Sequence, residues 1–130
     1  MIVTDASVVA EILLQTPDAA RIEQRIFAAE ETLHAPALLD VEVAQVLRRY
    51  VQRGEMSTAR GNAALGVLAR FPVRRHWHEP LLERIWALKR NLTAYDAAYV
   101  ALTEALGATL VTRDAGLSKS AGHRAAIELV

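Results

Sequence analysis

The chain contains no cysteine. Disulfide frameworks, cysteine-ligated zinc and thiol nucleophiles are therefore excluded, and the composition suits a reducing compartment. A long hydrophobic run is also missing. The longest unbroken stretch of apolar residues and glycine is 63–69, against the roughly 18 residues that a membrane span needs. The amino terminus, Met1-Ile2-Val3-Thr4-Asp5, has no basic segment and reaches a carboxylate at once. No signal peptide is expected, and the expected location is the cytoplasm, with no membrane partner. Neither sign of charge is in excess: 15 basic residues balance 15 acidic ones. That balance argues against a protein held to nucleic acid by bulk positive field alone. Lysine is scarce, with Lys89 and Lys119 only, so 13 basic residues are Arg. Arginine is the better bidentate partner for phosphate.

What is present is a chain of 130 residues, 52% hydrophobic and 23% charged. That composition excludes a disordered chain and suits one domain spanning 1–130. Apolar spacing predicts short strands alternating with amphipathic helices. Strands are expected at 2–4, 32–35, 72–75, 108–112 and 126–130. Helices are expected at 6–15, 18–31, 37–52, 57–70, 80–90 and 93–106, with a short helical turn after Asp114. Gly54 and Gly107 stop two of the helices. The alternation predicts an α/β fold, a short parallel β-sheet flanked by helices. In such sheets ligands bind beyond the carboxyl ends of the strands.

Four carboxylates fall at element ends of that kind. Asp5 follows the first strand, and Asp114 follows Thr109-Leu110-Val111-Thr112. Asp96 sits in the first turn of helix 93–106, and Glu42 near the start of helix 37–52. On a wheel of about 100° per residue with Leu39 at zero, Glu42 lies near −60° and Asp40 near +100°. Glu42 therefore borders the buried stripe, and one site is not expected to use both. Each acid has a structural alternative. Asp5 and Asp114 can cap helices, Thr93 to Asp96 reads as a capping box, and Glu42 can pair with an Arg. As a set they are different. Four carboxylates close together raise one another's pKa unless a cation neutralises them. An all-oxygen donor set favours Mg2+ or Mn2+ over zinc. Ser7 and Thr112 place hydroxyls beside Asp5 and Asp114, where they can orient a carboxylate or make a local turn.

With these residues the chain resembles the PIN-domain nucleases, and among them the VapC-type toxins of toxin–antitoxin pairs. The resemblance runs through Ile2-Val3-Thr4-Asp5-Ala6-Ser7, then Ala35-Pro36-Ala37-Leu38-Leu39-Asp40-Val41-Glu42-Val43. It continues through Leu92-Thr93-Ala94-Tyr95-Asp96-Ala97-Ala98-Tyr99-Val100-Ala101-Leu102 and ends on Leu110-Val111-Thr112-Arg113-Asp114. It implies a PIN-like three-layer α/β/α fold and a Mg2+- or Mn2+-dependent endoribonuclease acting through metal-activated water. It carries Asp5, Glu42, Asp96 and Asp114 over as catalytic and metal-site residues, with Ser7 and Thr112 as supports. It further implies a homodimer, an RNA substrate such as tRNA or rRNA, and inhibition by a cognate VapB-like antitoxin.

Other features have two readings each. His76-Trp77-His78 places two imidazoles on one face of an extended segment, too few for a zinc site, while Trp77 suits a surface or RNA-stacking role. Trp86 falls on an apolar stripe and is expected in the core. Arg48, Arg49, Arg53, Arg74 and Arg75 suit an RNA backbone or a solvated face. The stripe of helix 18–31 either packs on its own core or takes up a partner. The alanines of helix 93–106 let it pack closely on the sheet. A DNA nuclease of the same fold and a non-catalytic partner-binding domain are the alternatives. An aspartyl-phosphate phosphatase is disfavoured because Ser7 stands where a second Asp would be needed.

Overall fold

A computed structural model describes residues 1–28 and 30–130. The strands are β1 (Ile2–Thr4), β2 (Leu33–Pro36), β3 (Val73–His76), β4 (Thr109–Thr112) and β5 (Ala126–Leu129). The helices are α1 (Ala6–Leu13), α2 (Ala19–Ile26), α3 (Leu38–Gln52), α4 (Thr58–Ala69), α5 (Leu82–Ala87), α6 (Ala94–Leu106) and α7 (Ala115–Ser118). A 3₁₀ turn, Glu79–Leu81, runs directly into α5.

The strands form one sheet in the order β3-β2-β1-β4-β5. Every pairing is parallel. Ile2, Val3, Leu110 and Val111 are fully or almost fully buried, as central strands covered on both faces must be. The edge strands β3 and β5 are the more polar, with Arg74, Arg75 and Glu128 among their residues. That composition blunts the open edges.

Two helical layers cover the sheet. On one side α1 packs against α2 and α3, and α3 packs against α4. On the other, α5 packs on α6, which lies against β1, β2 and β4. The helix α6 approaches closely because Ala97, Ala98 and Ala101 face inward and are buried. Gly107, at φ 59°, closes α6 in the left-handed conformation that a residue without a Cβ adopts freely.

The strand order fixes where a ligand can approach. The chain moves from β1 to β2 on one side and later enters β4 on the other. The crevice between β1 and β4 is therefore the topological switch point of the sheet. The loops leaving the carboxyl ends of these two strands carry Asp5 and Asp114.

Several expectations need correction. Trp86 is 70% exposed rather than buried. The expected helix 80–90 is split, and the six-residue α5 turns Leu81, Ile85 and Leu88 inward while Trp86 faces out. Of the two readings of the α2 stripe, core packing holds for Ile22 and Ile26, both 0% exposed, while Phe27 at its end is 45% exposed. That helix ends at Ile26, short of the expected 31, and Ala29 lies outside the described residues.

Candidate active site

The best-held acid is Asp5, 6% exposed, directly after β1. Its Oδ1 accepts from the Ser7 hydroxyl at 2.6 Å and from the Val8 amide at 3.2 Å. Its Oδ2 accepts from the Thr112 hydroxyl at the end of β4, across the switch point. Both hydroxyls are aimed by amides behind them. The Arg113 N–H donates to Ser7 Oγ at 2.9 Å, and the Asp114 N–H donates to Thr112 Oγ1 at 2.9 Å. A hydroxyl that accepts from the backbone is left with its one proton for the carboxylate. Ser7 and Thr112 thus lock the Asp5 carboxylate in place and tie the β1 loop to the β4 loop.

The other acids gather beside it. Asp96 stands in the first turn of α6, whose N-cap Thr93 accepts from the Asp96 amide at 3.1 Å. The helix terminus favours negative charge there. Asp96 and the exposed Asp114 line one shallow hollow with Asn91, Thr93 and Ser120. Asp114 Oδ1 caps α7, accepting from the Gly116 and Leu117 amides at 2.7 and 3.0 Å. The capping reading is therefore correct for Asp5 and Asp114, and it leaves their remaining oxygen valence available to the site.

Glu42, on α3, faces the same cluster. Burial raises its pKa to about 7, and the charges of Asp5 and Asp96 push in the same direction, while the Tyr99 hydroxyl offsets part of the rise. Its Oε1 is buried with no hydrogen-bond partner among the described residues. Burial also raises Asp5 above the usual carboxylate range, against the pull of its hydrogen-bond donors, the Ser7 and Thr112 hydroxyls foremost. Asp96 is raised by burial and then by the charge of Asp114.

No ion pair joins Asp5, Glu42, Asp96 or Asp114 to a basic group among the described residues. Asp40, two residues before Glu42, is different. It accepts from both Arg75 Nε and Nη2, at 2.8 and 2.9 Å. The same guanidinium donates to the carbonyls of Leu68, Phe71 and Val73. Arg75 is thus a brace between β3 and the α3–α4 layer and is not available to a nucleic-acid backbone, in contrast to the exposed Arg48, Arg49, Arg53 and Arg74.

The histidines are also spoken for. His76 Nε2 lies 2.9 Å from Nδ1 of the buried His34, on the neighbouring strand. His78 Nε2 accepts from the Leu38 amide at 3.0 Å. Trp77 is exposed and stacks loosely on His78.

The acids are set apart rather than closed on a point. Among the described residues no three acidic or histidine groups form a finished cation cage. The donor chemistry nevertheless fits a hard divalent cation. The set is all oxygen, the charges of Asp5 and Asp96 raise Glu42, that of Asp114 raises Asp96, and one buried carboxylate oxygen has no partner among the described residues. Asp5, Glu42 and Asp96 are the groups that could hold such an ion, with Asp114 at the rim.

Sequence reasoning missed Tyr99 at this site. Its hydroxyl is buried without a partner and feels the charges of Glu42, Asp5 and Asp96. The available signal was its place three residues after Asp96, one turn along the same helix face.

Comparison with known proteins agrees with this architecture. The family model of the PIN domain matches residues 2–122. Ribonuclease VapC12 of Mycobacterium tuberculosis is 43% identical over 130 residues, covering 100% of this chain and 99% of its own. Among solved structures, Mycobacterium tuberculosis VapC20, a sarcin–ricin loop cleaving toxin, superposes with a TM-score of 0.68 at 18% identity, over 91% of this chain and 93% of that one. VapBC2 of Rickettsia felis, solved on a promoter DNA fragment, gives 0.70 at 13% identity, over 99% and 98%. At those identities the two structures speak for the fold alone.

Proposed function

The chain belongs to the PIN-domain family, and from that premise we propose that it is a VapC-type toxin, an endoribonuclease that depends on Mg2+ or Mn2+. The observation that carries this reading is the group of unneutralised acids at the β1/β4 switch point, with Asp5 fixed by Ser7 and Thr112. Full-length similarity to a protein named a ribonuclease supports RNA as the substrate, tRNA or rRNA in kind.

The proposed division of labour follows the geometry. Asp5 is the rigid ligand, because three donors hold it before anything binds. Asp96 is the second, kept ionised by the helix terminus once a positive charge is present. Glu42 approaches from the opposite helical layer, and Asp114 holds water or a second ion at the rim. A divalent cation among these oxygens would supply Lewis acidity, lowering the pKa of an attacking water and stabilising the departing oxygen of the phosphodiester. No side-chain base is required. The acids orient, the hydroxyls of Ser7 and Thr112 keep Asp5 from turning, and the α6 terminus stabilises charge.

Two partners complete the proposal. A VapB-like antitoxin inhibits the enzyme, in keeping with relatives named as VapC proteins. A second copy of the chain covers the exposed apolar patch of Leu82, Trp86 and Tyr95, beside which Trp77 lies stacked on His78. A patch of that kind on a small domain marks an interaction surface. Sedimentation at rising concentration should show a dimer that Trp86→Glu dissociates; a wild-type monomer at all concentrations would remove the dimer from the proposal.

The decisive experiment incubates partner-free protein with total RNA and Mg2+ or Mn2+, beside Asp96→Asn and an EDTA control. Discrete fragments that vanish in both controls are expected. Cleavage that survives both would refute the acid site. An intact fold that leaves RNA whole with either metal would favour a DNA substrate, tested next.

A further inference from the structure

Among the described residues, four buried side-chain atoms have no hydrogen-bond partner: Thr4 Oγ1, Glu42 Oε1, the Tyr99 hydroxyl and His123 Nδ1. Two of them bear on each other. The Tyr99 hydroxyl, on the helix turn after Asp96, is a neighbour of the Glu42 carboxyl, and neither buried oxygen has a formed hydrogen bond among the described residues.

A buried phenol usually finds a partner for its hydroxyl. Tyr99 is 1% exposed, and its ring is part of the core under α6. Phenylalanine would fill that space equally well, so packing does not explain the oxygen. A neighbouring hydroxyl shows the ordinary solution: Thr103 donates to the Tyr99 carbonyl at 2.8 Å and is satisfied within its own helix. The Tyr99 hydroxyl has no such outlet. A phenol carries its proton at neutral pH and a carboxylate only accepts, so toward the carboxylates of Glu42, Asp5 and Asp96 the hydroxyl is the donor.

Resting on the ribonuclease reading above, we propose that Tyr99 is a positioning residue: its hydroxyl donates to Glu42 and holds that carboxylate toward Asp5 and Asp96 when a divalent cation is present. The site would then be assembled on binding, with Asp5 preset by Ser7 and Thr112 and Glu42 drawn in by Tyr99.

The test is Tyr99→Phe, made in the wild-type and the Glu42→Ala backgrounds. Three quantities are measured: Mn2+ affinity by calorimetry, melting temperature without cation, and kcat and KM for an RNA substrate. In the wild-type background Mn2+ affinity and kcat should fall on the order of tenfold, the scale of one hydrogen bond to a charged group, with KM unchanged. The cation-free melting temperature should hold or rise, because an unpartnered hydroxyl has been removed. In the Glu42→Ala background, which has no acceptor for the hydroxyl, the same substitution should change neither affinity nor kcat, as a double-mutant cycle requires of a coupled pair. Wild-type affinity and kcat in Tyr99→Phe would overturn the proposal. So would an equal loss in both backgrounds, a markedly lower cation-free melting temperature, or a wild-type protein that binds no Mn2+. Failure of every RNA to be cut, with the calorimetric cycle intact, would count against the ribonuclease reading and leave the positioning role standing.

Discussion

Asp40 and Glu42 are two residues apart on α3, and their surroundings are opposite. Asp40 is held by both arms of the Arg75 guanidinium. Among the described residues Glu42 forms no ion pair, and one of its oxygens has no hydrogen-bond partner. The contrast extends to the whole molecule. Away from the switch point, the partly buried acids sit with arginines: Glu104 with Arg84 at 2.7 Å, Glu128 with Arg25 at 2.5 Å, Asp18 with Arg113 at 3.0 Å, while the exposed Glu23, Glu55, Glu79 and Glu83 are left to water. At the switch point, Asp5, Glu42, Asp96 and Asp114 have hydroxyls, amides and one another. Thirteen arginines are available to this chain, and none forms an ion pair with the four among the described residues. An exposed acid needs only water, whereas the buried and unpaired acids of the switch point are the ones whose charge calls for a cation from outside.

The largest effect should come from removing a site acid. Asp5→Asn should lower RNA cleavage at least about a hundredfold, the scale of losing a preorganised electrostatic partner, and leave the circular dichroism spectrum unchanged. Asp40→Asn should leave cleavage near wild type. Equal losses in the two would break the contrast between the regions.

The paired region should respond in stability instead. Arg75→Ala leaves Asp40 and three backbone carbonyls without their donor. A cost of about 2 kcal/mol is expected from losing this partly buried, charge-assisted set of hydrogen bonds, read by urea denaturation. Cleavage per folded molecule should not change.

The two regions should also differ in sign with pH. Glu42 is raised from 4.5 to about 7, so its ionisation opposes folding as pH rises through that window. Asp5 and Asp96 are raised as well and add to the loss. Glu104 is held down to about 2 by Arg84, so its contribution is complete above 4.5 and is lost as pH falls toward 2. The cation-free protein should therefore be most stable in mild acid. Its melting temperature should decline toward about pH 8, and Mg2+ should restore part of that loss there but little at about pH 5. A flat profile from mild acid to pH 8 would argue against strained acids.

Much of this arrangement is legible in the sequence because it rests on local rules. The alternation of apolar runs fixes the element order, and an Asp directly after a strand in a parallel sheet must lie at its carboxyl edge. The helical wheel separates Glu42 from Asp40 by angle alone, and the structure places them against different neighbours. What escapes is what depends on partners distant in the chain. Trp86 reads as core because Leu81, Leu82 and Ile85 precede it at helical spacing, but α5 is too short to carry the stripe that far. His76 pairs across strands with His34, a register that no spacing within 76–78 reveals. Tyr99 is hidden among alanines, and only the convergence of α3 and α6 on one point gives its hydroxyl a neighbour.

A calorimetric titration of the wild-type protein with Mn2+ near neutral pH, repeated on Asp5→Asn and Asp40→Asn, tests the central claim most directly. The account predicts saturable binding that Asp5→Asn abolishes and Asp40→Asn leaves intact. Binding that survives Asp5→Asn, or a wild-type protein that takes up no cation, would contradict it.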